Sequence, residues 1–179
     1  MWLFFGCFQA NIPEIEVDLS SIQLIPKKGL FLYDESPFSG FATSYYPNQQ
    51  MKERVSFNSG KRQGTRSKWY PDGTQSETLN YSDGKLDGPS FTWWKDGTLR
   101  TESHFDMGMA NGFQYQWYRD GTLFKKKHLE EGQEEGLQQA WRQNGDIYNN
   151  YEAKNGRIFG LKRSKLCFEL DDEEIVDGD

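Results

Sequence analysis

Few side chains in this 179-residue chain have the chemistry for catalysis or metal binding, and their spacing limits what they could do. The two histidines, His104 and His128, stand 24 residues apart, with Asn80 one interval before them and Glu152 one interval after. Imidazoles with a carboxylate between them can hold a metal ion. Histidines one hairpin apart in a sheet, however, stand about 10 Å from each other, two strand spacings. They read as part of a solvated polar face, and no metal is expected. Carboxylates recur at Asp72, Asp83, Asp96, Asp106 and Asp120, mostly beside glycines. Acid–base work by paired carboxylates needs burial and a fixed separation, and turn positions supply neither. No run matches a twelve-residue calcium loop. The chain also has no nucleophile elbow, phosphate loop or dinucleotide fingerprint. The expectation is a protein that is not an enzyme and carries no cofactor.

Cys7 and Cys167 form no disulfide framework and no zinc spacing. Cys167 lies in the strand-like run Leu166-Cys-Phe-Glu-Leu170 and reads as a small buried hydrophobe. Cys7 ends the apolar run Met1-Trp-Leu-Phe-Phe-Gly-Cys7, which resembles the tail of a bacterial lipoprotein signal, cut short. Two readings stand. Either translation starts upstream of Met1 and lipid is attached at Cys7, or the run is an apolar N-terminal strand.

The elements that position all these residues are set by glycine. Gly40, Gly64, Gly88, Gly112, Gly136 and Gly160 are spaced by 24 without slippage. Gly60, Gly84, Gly108, Gly132 and Gly156 form a second series at that period. Gly73, Gly97, Gly121 and Gly145 form a third, with Gln49 in the first unit's place. Such a period is the mark of a tandem array, and stacked repeats build extended binding surfaces. Each unit holds two strand-like runs and two turn signals. Phe113, Tyr115 and Trp117 alternate with Gln114, Gln116 and Tyr118, the period of a strand with one buried face. Tyr70-Pro-Asp-Gly73, Trp94-Lys-Asp-Gly97 and Tyr118-Arg-Asp-Gly121 read as type I turns closed by a left-handed glycine. The second turn, Ser82-Asp-Gly-Lys85, leads into the next unit. Inward positions of the second strand are expected at Met51, Val55 and Phe57 and at Leu99, Ser103 and Phe105, with Lys52, Arg54 and Ser56 outward. A lone hairpin is marginal in water, so neighbours must stack. The fold class is all-β: 24-residue β-hairpins in an elongated, twisted antiparallel meander, an open solenoid.

The units follow the pattern G-x4-W/Y-Y-x-D/N-G-x7-Y/F-x2-G-x3-G and resemble the MORN repeat (membrane occupation and recognition nexus). They look most like the bacterial variant found in proteins labelled the YwqK family of antitoxins. The match covers residues 40–160, and Gly29 to Gly40 looks like the half-repeat that opens such arrays. The resemblance implies a repeat scaffold. Its motif residues are structural glycines and aromatics, so it implies no mechanism. Arg142 departs from the pattern at the second aromatic, and the unit from Gly160 lacks the Asp-Gly turn. The organisation read from these features is a signal remnant and tether over 1–20 and a capping half-repeat over 21–39. Five repeats follow over 40–159, then a partial repeat over 160–170 and an acidic, disordered tail over 171–179.

Six tryptophans, nine tyrosines and thirteen phenylalanines are many for so polar a chain, and suit a thin sheet that uses large aromatic faces to exclude water. They line up in two columns. Tyr45, Trp69, Trp93, Trp117 and Trp141 are assigned to the core, in phase with Phe113 and Tyr115. Tyr46, Tyr70, Trp94 and Tyr118, followed by Arg142, are then placed on the other face, because strand neighbours point opposite ways. The second column either packs over the turns or forms an exposed strip that grips a protein or a glycan. Its four aromatics are the candidate binding residues, and Cys7 is the candidate lipidation site.

The formal charge of −6 is carried by the C-terminal segment. Glu169 to Asp179 holds seven acids and no base, which leaves the rest of the chain at +1. A near-neutral array exerts little pull on nucleic acid. The expected function is a non-catalytic scaffold for protein–protein interaction in the bacterial cell envelope. The alternatives are antitoxin-like neutralisation of a partner toxin and glycan binding at the envelope. A lipid-anchored location without a transmembrane helix is expected, with a cytoplasmic one as the alternative.

Overall fold

The structure is a computed structural model and describes residues 13–161. These residues contain no α-helix. One long sheet carries the array, and its strands follow chain order from Gly40–Tyr45 to Arg157–Leu161 without closing into a barrel. Five hairpins make it up. They are Gly40–Tyr45 with Met51–Asn58, Lys61–Trp69 with Gln75–Ser82, Gly88–Trp93 with Leu99–Asp106, Gly112–Trp117 with Leu123–Glu130, and Gly136–Trp141 with Ile147–Lys154. All are antiparallel.

Both turns match the sequence reading. In the first, Gly73, Gly97, Gly121 and Gly145 lie at φ between 85° and 88°, and Gln49 adopts φ 67° in the place of glycine. The Asp72 side chain accepts from the Thr74 N–H at 3.0 Å, and Asp96 and Asp120 repeat the bond at Thr98 and Thr122. In the second turn two successive residues have positive φ, for example Asp83 at 49° and Gly84 at 84°, the signature of a type I′ turn. The Gly84 N–H donates to the carbonyl of Arg62, one repeat back, and Gly60, Gly108 and Gly132 do the same to Phe38, Leu86 and Ala110. The second glycine series therefore joins neighbouring repeats as well as turning the chain.

The first glycine series marks a bulge. After each of the first four second turns the register slips: Tyr81 pairs with Leu86, but Thr78 pairs with Phe91. The residues between carry the left-handed Gly88, at φ 86°. A bulge repeated from unit to unit bends and twists the sheet. The last pair, Lys154↔Arg157 to Asn150↔Leu161, keeps one register with no slip.

The N-terminal end is capped by elements that the sequence reading missed or only sketched. Glu16–Asp18, within the segment read as a tether, lies parallel to Gly40–Tyr45 as an edge strand. A small sheet of Gln23–Ile25, Leu30–Tyr33 and Ser36–Pro37 packs beside it, where the half-repeat was expected. Here is the one compact hydrophobic cluster among the described residues. Phe38, Ala42, Val55 and Phe57 are buried beneath Val17, Leu19, Ile22, Phe31 and Tyr33. Phe57 contacts Phe31 and Phe38 at ring-centroid distances of 5.0 and 5.8 Å. Burying a phenylalanine is worth about 1.5–3 kcal/mol, so this cap anchors an otherwise thin sheet.

Beyond the cap, the expected faces are exchanged. Opposed residues share a face, and the pairs Ala42↔Val55, Gln114↔Lys127 and Gln138↔Tyr151 define one of them. Phe113↔His128, Tyr115↔Lys126 and Leu137↔Glu152 define the other. The aromatic face expected to be the core is the more open one: Tyr45 is 51% exposed and Phe113 43%. The buried positions fall on the polar face, where Gln138 is 1% exposed and Ala140, Tyr151 and Ala153 are buried. The inward prediction holds at Val55 and Phe57, but Ser56, expected outward, is also buried. The reason is that, among the described residues, no second layer covers the aromatics beyond the cap. The bulge, in contrast, frees backbone groups that must be paired. Gln138 completes the pairing: its Oε1 accepts from the His128 N–H at 3.2 Å, and its Nε2 donates at 2.8 Å to the His128 carbonyl, which also accepts from the Glu135 N–H. Gln114 donates in the same way to the His104 carbonyl at 2.9 Å.

Candidate functional site

The second aromatic column lies just past the strand ends, where each hairpin slips register at the first-column residue. Strand alternation therefore does not reach it, and the inference that the two columns face opposite sides loses its basis. Three of its four aromatics do the same thing. The Tyr46 hydroxyl donates to the carbonyl of Trp69 at 2.8 Å, Tyr70 to Trp93 at 2.9 Å and Tyr118 to Trp141 at 3.0 Å. Each tyrosine clamps its unit to the next. The residue six places on covers its ring: Lys52 lies 5.8 Å from the Tyr46 centroid, and Phe124 packs on Tyr118 at 5.0 Å. The turns add further ties, with Arg119 donating to Asp96, Gln143 to Asp120 and Asn48 to the Pro71 carbonyl.

Trp94 breaks the column. An indole has no hydroxyl to reach the following carbonyl, and the Trp94 Nε1–H is buried with no hydrogen-bond partner among the described residues. A cleft of about 470 Å³ opens at this point, lined by Trp94, Arg100, Trp117, Tyr118, Phe124 and Gln143 among others. Trp117 and Tyr118, one from each column, thus meet at one cleft. The Arg100 guanidinium stacks 4.6 Å above the Trp94 ring. Arg119, also at the cleft, is held by Asp96. The Lys125 ammonium sits 4.9 Å from the Phe124 centroid, and burial lowers its pKa, with Lys127 nearby adding to the effect.

The first column and its strand neighbours make a ladder on the open face. Phe91 and Trp93 are 5.9 Å apart, Phe113 and Tyr115 5.9 Å, and Tyr115 and Trp117 5.7 Å with ring planes 23° apart. Lys126 lies 4.7 Å over Phe113. The histidines sit among these aromatics and not on a purely polar face: His128 packs on Phe113 at 4.8 Å. Nδ1 of His104 and of His128 meets the carbonyls of Phe113 and Glu135, at 3.1 and 3.0 Å. A carbonyl only accepts, which assigns the proton to Nδ1. Among the described residues, no group of three or more His, Cys, Asp or Glu is arranged to hold a metal ion. Cys7 and Cys167 lie outside the described residues.

From sequence, Trp94 and Tyr118 stood out, Gln114 only as a polar strand position, and Arg100, Phe124 and Gln138 not at all. A signal existed, since each keeps a fixed offset from its repeat's glycine. Among the described residues no helix is long and apolar enough to cross a membrane. No protein-family model and no curated protein matches the chain.

Proposed function

We propose that the chain is a non-catalytic repeat scaffold that binds a partner protein through its open aromatic face. The observation that carries this reading is the ladder of Phe113, Tyr115 and Trp117, continued by Leu137 in the next repeat. Phe113 and Leu137 remain 43% and 51% exposed on a regularly bonded sheet. A contiguous apolar patch rimmed by charged residues marks an interaction site, and here a partner would supply the second layer that the sheet lacks among the described residues. A photoreactive residue placed at Phe113 in the native cell tests it. Phe113 and Leu137 should capture one common protein that a reporter at exposed Lys52 does not. Capture of the same proteins from all three positions would overturn the reading.

Glycan binding is the second reading, favoured by the nearly parallel Tyr115 and Trp117 rings, which offer a platform for a sugar. Saccharide binding lost in Trp117→Ala would support it. The antitoxin-like reading rests on the MORN-type resemblance alone, and its partner would be a toxin encoded nearby. The envelope location rests on the Phe4-Phe5-Gly6-Cys7 run. Lipid on Cys7 would hold the array near a membrane. Intact mass of the native protein tests this, and an unmodified chain beginning at Met1 would end it.

A further inference from the structure

We infer that the cleft at Trp94 is a binding site for an acidic peptide segment of the partner protein, one in which carboxylates flank an apolar side chain. This rests on the protein-binding reading above and adds a second, chemically distinct contact. Three observations carry it. The inter-repeat clamp made by Tyr70 on one side and Tyr118 on the other is missing at Trp94, and the cleft lies where that clamp would be. The buried Trp94 Nε1–H has no partner among the described residues, so its donor capacity is unused beside the cleft. The cations lining the cleft are Arg100 and Arg119; Asp96 already pairs Arg119, which leaves Arg100, stacked on Trp94, to meet an incoming carboxylate, and no carboxylate is among the lining residues. Arginine pairs with carboxylates through a planar fork, and Phe124, Tyr118 and Trp94 provide an aromatic floor for the apolar side chain.

The Trp94→Tyr substitution separates this idea from general stability. It restores the residue found at Tyr70 and Tyr118, whose hydroxyl would reach the Trp117 carbonyl and close the cleft. The full-length protein would be titrated with a labelled acetyl-Asp-Glu-Phe-Asp-Glu-amide peptide and with its Asn/Gln counterpart, following fluorescence anisotropy. The acidic peptide should bind, weaken as salt is raised, and lose about tenfold or more in affinity with Arg100→Glu. It should lose binding with Trp94→Tyr while that variant melts at or above the wild-type temperature. Failure of the acidic peptide to bind, or equal binding of the neutral peptide, would overturn the proposal. So would binding that survives both Trp94→Tyr and Arg100→Glu. If the peptide binds only to a full-length variant with Asp171, Asp172, Glu173 and Glu174 neutralised, the occupant is the chain's own tail, and the partner-peptide proposal falls. Neither substitution touches Phe113 or Tyr115, so site-specific capture at the open face remains an independent measure of the scaffold reading.

Discussion

The Tyr118 hydroxyl donates to the backbone carbonyl of Trp141, 3.0 Å away and 23 residues later in the chain. Tyr70 and Trp93 repeat the bond, as do Tyr46 and Trp69. One atom per repeat thus couples units that otherwise meet mainly through main-chain pairing. Replacing Tyr118 or Tyr70 by Phe should destabilise the protein by about 0.5–1.5 kcal/mol, the net worth of one hydrogen bond. Chemical denaturation would read the loss. An unchanged midpoint in both variants would show that the clamp contributes nothing.

Gln138 should be harder to replace than Gln116, an exposed glutamine of the equivalent strand one repeat earlier. Gln138→Leu keeps the volume but leaves the His128 N–H without its side-chain acceptor in a buried site, while the His128 carbonyl keeps only the Glu135 N–H. The expected cost is about 1–3 kcal/mol, against a few tenths for the exposed Gln116. Equal melting of the two variants would refute the stapling role.

The glycine series should differ in sensitivity. A Cβ at Gly121 would meet nothing within 4 Å, so Gly121→Val is penalised only by its φ of 85°, about 1–3 kcal/mol. At Gly60 a Cβ would also stand 3.1 Å from the Phe31 carbonyl and 3.2 Å from Pro37. Gly60→Ala should therefore lower the melting temperature more than Gly121→Ala. The reverse order would place the N-terminal cap wrongly.

Acid should loosen the first turns. The Asp96 carboxyl is lowered from 3.8 to about 2, chiefly by the bond from Arg119 and then by the Thr98 N–H. Asp72 and Asp120 are lowered as well, by the Thr74 backbone N–H and by Gln143 respectively. A depressed folded-state pKa contributes stability that is present above the ordinary value and is lost as pH falls through the folded one. The melting temperature should therefore fall from about pH 4 towards pH 2, more steeply in wild type than in Asp96→Asn. These groups are exposed, so added salt should flatten the difference. Parallel profiles for the two proteins would contradict the pairing.

The sequence by itself determined the repeat, the strand-and-turn order and the left-handed position of the first turn. Each of these is a local requirement: Asp72 and Gly73 specify their turn whatever packs around it, and Gln49 takes the same conformation where glycine is absent. It did not determine which face is buried. Period-two alternation at Phe113, Tyr115 and Trp117 says that one face differs from the other, and burial of the aromatic one is the usual outcome when a second layer exists. Among the described residues there is none, and the bulges at Gly112 and Gly136 leave backbone groups that draw Gln114 and Gln138 inside. The role of Tyr70 and Tyr118 was equally out of reach. A hydroxyl bonding a carbonyl 23 residues away depends on how one hairpin sits against the next, which only the tertiary structure decided. The same holds for Trp94, whose missing hydroxyl became a cleft because its neighbours in the column have one.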